Sequence, residues 1–497
     1  MNSAYQTLEE RFRRMSAIGG ALSMLFWDRS VMMPSGSAEV RAEQMAVLNV
    51  MVHELQTAPD MEDLLGEAEQ AGGLDEWQSA NVREMRHRWK HATAVPANLV
   101  EKLTHATSTS EMVWRTARPE NDFKALVAPL KEVLALKRES ADAKAASFGV
   151  SAYDALLDGY DQGRTAAEID PIFDDLLSFL PGMIDNAIAH QSAGPAIDEP
   201  EGPFDNDAQE ALGRELMRVF GFDFEKGRLD VSLHPFSGGV PGDNRITTRY
   251  GENEFSASLL ALLHETGHAM YETGLPENWR GQPVGRSRGM TVHESQSLLY
   301  EMQAARSPQF ISYLAPKLRE AFNGNGPAWS AENLQRRFHK VSRSLIRVYA
   351  DEATYPLHVI LRYRLERAMI AGDLQIEELP GAWNEAMADI VGITPDNDTD
   401  GCMQDVHWAS GAFGYFPTYT LGALASAQIF AAAKAERSTL MDEIERGELG
   451  ALNTWLHDAI HSQGCRYSPA ELIERATEAP LGTDAFRAHL QSRYLPQ

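Results

Sequence analysis

Apolar residues recur every three or four positions along most of this chain, the spacing of one buried face on an α-helix. Leu8, Phe12, Met15 and Ile18 set that period within residues 4–33. Pro34-Ser35-Gly36 interrupts it, and Val40, Met45, Leu48 and Leu55 carry a second helix. The same pattern predicts helices near 76–91, 97–117, 121–147, 167–192 and 206–220. It continues near 256–273, 291–305, 308–322, 330–372, 377–391, 418–447, 449–463 and 468–476. Two short stretches read as strands, 228–233 and 244–250. In the second, Ile246, Thr248 and Tyr250 alternate with Arg245, Thr247 and Arg249. The expected fold is mostly α, with a small β-sheet just ahead of the helix at 256–273. Residues 193–206, 323–327 and 394–401 read as surface connections too short to be linkers, so 1–497 is expected to be a single unit.

Charge narrows the partners. With 45 basic and 71 acidic side chains the net charge is -26, which repels nucleic acid and anionic membranes over most of the surface. The most apolar late stretch, 421–433, contains Ser426 and Gln428 and is far shorter than the ~20 residues needed to span a bilayer. The first fifteen residues are charged and lack the apolar run of a secretory leader. Cys402 and Cys465 are the only cysteines, too few for a disulfide framework, and a reducing, cytoplasmic location is expected.

The chemistry lies in His264-Glu265-Thr266-Gly267-His268, inside the helical stretch 256–273. Histidines at i and i+4 project from one helical face about a turn apart, which suits two nitrogen ligands of one tetrahedral zinc ion. Glu265 is placed to reach the attacking water as a general base without being a ligand. A catalytic site needs a third protein ligand. Glu272, Glu277, Glu294 and Glu301 are the downstream acids. Glu294 is the chosen ligand, because it opens a separate helix that can return across the first. His293 points away from the ligand direction if its segment is helical, and stays outside the metal set.

At this point the sequence resembles the carboxypeptidase Taq metallopeptidases. His234-Pro235-Phe236, Asp243-Asn244-Arg245-Ile246-Thr247, the His264–His268 motif and His293-Glu294-Ser295-Gln296 stand in that family's order. Ile346-Arg347-Val348-Tyr349-Ala350-Asp351 and Gly401-Cys402-Met403-Gln404-Asp405-Val406-His407-Trp408 follow, and Trp27-Asp28, Met33-Pro34 and Gly36 look like its opening region. The resemblance implies a large helical, neurolysin-like fold with two lobes about a deep cleft, related also to angiotensin-converting enzyme. It implies release of C-terminal residues from peptides with broad specificity, a Zn2+ or Co2+ ion, and a homodimer. It points to His407 and Tyr415 as donors to the oxyanion, with Tyr419 behind Tyr415. One feature departs from related zinc peptidases: the acid expected four residues after the glutamate ligand is Leu298 here, so the ligand histidines need other partners.

An enzyme acting from the C-terminus must also grip a carboxylate, which arginine does best through paired hydrogen bonds. Arg347 is one candidate clamp; by spacing alone it would be a helix ion pair with Asp351 four residues on. Arg245 is a second clamp or a residue that closes the cleft, with an ion pair to Asp243 as the alternative. His234 lines the cleft or serves as a cap or core residue. Two other functions remain open from the sequence: an oligopeptidase cutting internal bonds, and a non-catalytic helical peptide-binding protein.

Overall fold

The computed structural model describes residues 3–232 and 235–495. Its helices follow the apolar periodicity closely where that periodicity is long. Ser3–Val31, Ala38–Gln56, Glu76–Thr93, Phe123–Phe148 and Ala166–Ala193 lie within a few residues of the predicted ranges. The helix Ser256–Thr273, here the central helix, matches its predicted span. Three further helices, Met61–Gln70, Ala152–Leu157 and Asp484–Tyr494, lie where the pattern predicts none.

The small sheet has three strands, one more than predicted: β1 (Gly227–Val231), β2 (Phe236–Val240) and β3 (Asp243–Thr248), in spatial order β1-β3-β2. β1 runs parallel to β3, and β2 antiparallel to it, with Val240 opposite Asp243 across a two-residue turn. β2 hides from the sequence because Gly238-Gly239 reads as a turn. Gly239 has φ +104, and a Cβ there would stand 2.0 Å from the Asp243 carbonyl oxygen. β3 is fastened to the central helix by Asn244, whose Nδ2 donates to Thr273 Oγ1 at 2.7 Å.

Two large apolar cores meet on one helix, Pro417–Glu436. Leu421, Leu424 and Ala427 face the first, with the helices Phe123–Phe148, Ala166–Ala193 and Tyr355–Ala371. Ala425, Ile429, Phe430 and Ala433 face the second, with the central helix and Pro308–Ala321. A helix buried all round must be apolar all round, which explains the run at 421–433 without a membrane. Among the described residues no helix is long and apolar enough to cross one.

The largest departure is the helix expected over 330–372. Helix occupies Ala331–Phe338 and Tyr355–Ala371, and the residues between form an irregular segment with one short turn at Arg347–Tyr349. Hydrogen bonds from distant residues replace the helical ladder there. Gln191 donates to the His339 carbonyl at 2.8 Å and accepts from Val341 N at 3.0 Å. Asp351 accepts from the backbone of Ser342, Ala353 and Thr354. A carboxylate taken up by local amides favours a turn over a helix.

Candidate metal centre

The central helix brings His264 and His268 together as the spacing requires, with ring centroids 4.9 Å apart and nearly perpendicular. The helix Gly289–Leu298, here the companion helix, crosses it and presents Glu294. Glu294 Oε2 lies 3.9 Å from His264 Nε2 and 3.6 Å from His268 Nε2. One ligand atom from each residue falls within 4.8 Å of the others, a fit for one divalent ion with two imidazole nitrogens and a carboxylate oxygen.

Two glycines permit this convergence. A Cβ on Gly267 would stand 2.5 Å from the Gln296 carbonyl oxygen, so the two helices touch where the motif has no side chain. A Cβ on Gly422 would stand 2.7 Å from Glu294 Cβ, so Pro417–Glu436 presses on the third ligand from behind. Close approach of backbones is what glycine allows and alanine prevents.

The partners of the histidines, which the sequence left open at Leu298, lie elsewhere. His264 Nδ1 is 3.0 Å from Glu301 Oε2, and Glu301 also accepts from Arg306 at 3.0 Å. Glu301 stands in a π-helical segment, Leu299–Ala305, which continues the companion helix with a wider turn. His268 Nδ1 is 2.6 Å from His293 Nδ1, and His293 Nε2 is 3.0 Å from Glu272 Oε1. A carboxylate only accepts, so a neutral His293 donates to Glu272 through Nε2 and accepts the His268 proton at Nδ1. Both ligand histidines therefore turn Nε2 to the metal position and their N–H away from it. His293 is not one of the three candidate donors, and its contact fixes the His268 ring.

The electrostatics favour a cation. Burial opposes charge on His264, but Glu294 and Glu301 hold its pKa up at about 10. Burial, with the nearby imidazoles His293 and His264, drives His268 well below the usual histidine range. Burial pushes the Glu265 carboxyl up to about 7, helped by Glu294 and opposed by His264. Outer carboxylates of this kind typically raise metal affinity ~10–100-fold. Glu301→Gln keeps an acceptor for His264 but removes the charge. It is expected to weaken binding of the ion by about that factor, measured by competition with a chelator. Unchanged affinity would leave Glu301 as a partner of Arg306 only.

A cleft of about 570 Å³ opens over the three ligands and Glu265, walled by β2 on one side and by Tyr415 and Tyr419 on the other. The tyrosine rings meet edge to face at 5.0 Å, and burial holds both hydroxyls protonated. His407 stands behind them, its Nε2 3.3 Å from the Tyr419 hydroxyl. Burial lowers its pKa to about 4, so it is neutral at pH 7.

Arg347 pairs with Asp405 and not, as spacing suggested, with Asp351. Its Nη2 donates to Asp405 Oδ1 at 2.8 Å and its Nη1 to the Tyr355 hydroxyl at 2.6 Å. Arg362 donates to the other oxygen of Asp405 at 2.7 Å. Gln404 locks the segment by accepting from Arg347 N at 2.8 Å and donating to the Leu345 carbonyl at 3.1 Å. Arg245 forks onto Asp243 at 2.9 and 2.6 Å, the alternative weighed for it. His234 lies outside the described residues.

One residue that sequence reading missed is Glu366, fully buried in the first core's helix Tyr355–Ala371. It accepts from Trp408 Nε1 at 2.9 Å, from the Tyr153 hydroxyl at 2.9 Å and from Gly414 N at 3.1 Å. These contacts pin the loop that carries His407 and Tyr415. Burial raises its pKa to about 7 against these three donors. No local signal marks it, since its partners come from two distant parts of the chain, the helix of Tyr153 and the loop of Trp408 and Gly414.

Comparison with known proteins places these features. The family model for carboxypeptidase Taq (M32) metallopeptidase matches residues 7–494. Thermostable carboxypeptidase 1 of Thermus thermophilus is 40% identical over 504 residues, covering 99% of this chain and 98% of that protein. Carboxypeptidase 1 of Bacillus subtilis is 31% identical, covering 98% of each. Among solved structures, Trypanosoma cruzi metallocarboxypeptidase 1 is similar with a TM-score of 0.97 at 42% identity, covering 100% of each chain. The M32 carboxypeptidase from Deinococcus radiodurans R1 is similar with a TM-score of 0.92 at 35% identity, covering 99% of each.

Proposed function

We propose a residue-level mechanism for this chain from the premise that it belongs to the carboxypeptidase Taq (M32) family and is a metal-dependent carboxypeptidase. His264, His268 and Glu294 hold the ion, which we take to be Zn2+, with Co2+ accepted by the same donors. When bound, the ion supplies Lewis acidity toward water and the scissile carbonyl. Glu265 takes the proton of the attacking water and delivers it to the leaving amine. Tyr415, with Tyr419 beside it, donates to the oxyanion that develops on the carbonyl oxygen. His407 holds the Tyr419 hydroxyl in place and acts through it.

Arg347 receives the free carboxylate of the substrate. Arg347 and Arg362 share the single carboxylate Asp405, so one positive charge in that contact is unbalanced. Burial raises the pKa of Glu294, and Arg347 is one of the charges that oppose that rise, with His264 and His293, so its field reaches this carboxylate. This surplus charge beside the metal ligands is the observation that carries the assignment. Arg245, with its fork on Asp243, closes the sheet side of the cleft. We read the two apolar cores as the two lobes beside that cleft. Cys402 and Cys465 are buried and unpaired, which supports a cytoplasmic, reducing location. Val40, Val47, Val50 and Met51 stand exposed on the helix Ala38–Gln56, an apolar face that supports assembly of two copies.

The test compares a peptide with its C-terminally amidated twin. The free acid is expected to be cleaved faster by about 10²-fold or more, the worth of a fully used carboxylate contact. Equal rates would remove the clamp and favour an enzyme that cuts internal bonds.

A further inference from the structure

Among the described residues a second cluster repeats the donor set of the centre above. His87 and His91 are i and i+4 on the helix Glu76–Thr93, and their Nε2 atoms lie 2.6 and 2.7 Å from one oxygen, Asp158 Oδ2. Their rings meet edge to face at 4.7 Å, close to the 4.9 Å of the central pair. Phe148 packs on both imidazoles, at 5.6 and 4.6 Å, and holds them in this orientation. The other oxygen, Asp158 Oδ1, accepts from Gly163 N at 2.8 Å, so the carboxylate is anchored from behind. The cluster borders a cavity of about 530 Å³, which leaves room for water to complete a coordination sphere.

We propose that His87, His91 and Asp158 form a second divalent-cation site, one for an ion of the Zn2+ and Co2+ class. Two imidazole nitrogens and a carboxylate oxygen suit such an ion and not Ca2+ or Mg2+, which take oxygen donors. Donors ~2.1 Å from a tetrahedral ion stand roughly 3.3 Å from one another, so the cluster must widen by less than 1 Å to admit it. Lys144 is the charge that opposes the site, lining the same cavity and acting on both His91 and Asp158. Arg288 also faces the cavity, but it is paired with Glu84 at 2.9 Å. Arg88 lines it too.

The site bears on the catalytic centre through one loop. Beyond Asp158, the Tyr160 carbonyl accepts from Met290 N at 2.7 Å and Asp161 Oδ2 accepts from Thr291 Oγ1 at 2.9 Å. Both contacts hold the start of the companion helix, which presents Glu294. The Tyr160 ring lies edge-on to Tyr415 at 4.9 Å. An ion on Asp158 fastens this loop to the helix Glu76–Thr93.

The experiment loads the full chain with Co2+ alone, removes excess ion by gel filtration and counts cobalt per chain by atomic emission. Two ions per chain are expected for the natural sequence, and one for His91→Gln and for Asp158→Asn. The second variant keeps the size of the side chain and its bond to Gly163, so it carries the test if the first does not fold. His264→Ala is expected to retain one ion with the visible absorption of tetrahedral cobalt. A single ion in the natural chain, two ions in both variants, or none in His264→Ala would each overturn the proposal.

Discussion

Replacing Glu265 by glutamine is expected to leave the metal content unchanged and to lower kcat by about 10²–10⁴, the usual contribution of a positioned general base. The side chain has the same size, so the packing of a residue that is only 9% exposed is kept. What is lost is the capacity to take a proton. Burial has already lifted this carboxyl to about 7, near where a base works best at neutral pH, and a cation in the site draws it down again. Metal analysis beside turnover separates this from a ligand: His264→Ala loses the ion of the central site and the activity together. Full activity in Glu265→Gln would place the base elsewhere and end the mechanism proposed here.

Arg347→Lys is expected to lower kcat/KM on free-acid peptides by about 10²-fold, corresponding to ~3 kcal/mol for one member of a buried charge contact. The same change leaves the slow cleavage of amidated peptides where it was. Lysine keeps the charge but offers a point donor in place of a planar fork. It cannot hold Asp405, Tyr355 and a substrate carboxylate together as the present geometry allows. The ratio of the two rates is the informative quantity. A parallel fall on both peptides would mean that Arg347 only pins its own irregular segment.

The sequence makes the centre of the site easy to read, because the relevant distances are local. His264, Glu265 and His268 lie on one helix, and a spacing of four residues needs no knowledge of the fold. Glu294 is readable once the next helix is expected to cross back. Glu301 is not, because the expected spacing of four points to Leu298, and the wider π-helical turn places the acid seven residues on. Gly422 and Glu366 act across contacts between distant segments, which no periodicity reports. The helix expected across Arg347 fails for a similar reason. Helical spacing offered Asp351, whereas Gln191, Gln404 and Asp405, each far along the chain, decide the local backbone and the ion pair. The family motifs around Gln404 and Trp408 gain a physical meaning from this: one fixes Arg347 and the other reaches Glu366.

One wall of the cleft depends on the leading helix, where Ser23 Oγ donates to the Gly239 carbonyl at 2.7 Å. That bond closes a loop of 216 residues, against 37 for His264 and Glu301. Closing the longer loop costs about 1.5 kcal/mol more in chain entropy. On that ground the pairing of His264 with Glu301 is cheaper to close than the docking of the helix Ser3–Val31 against β2. Refolding is then expected to restore affinity for a cation before the capacity to hold a peptide.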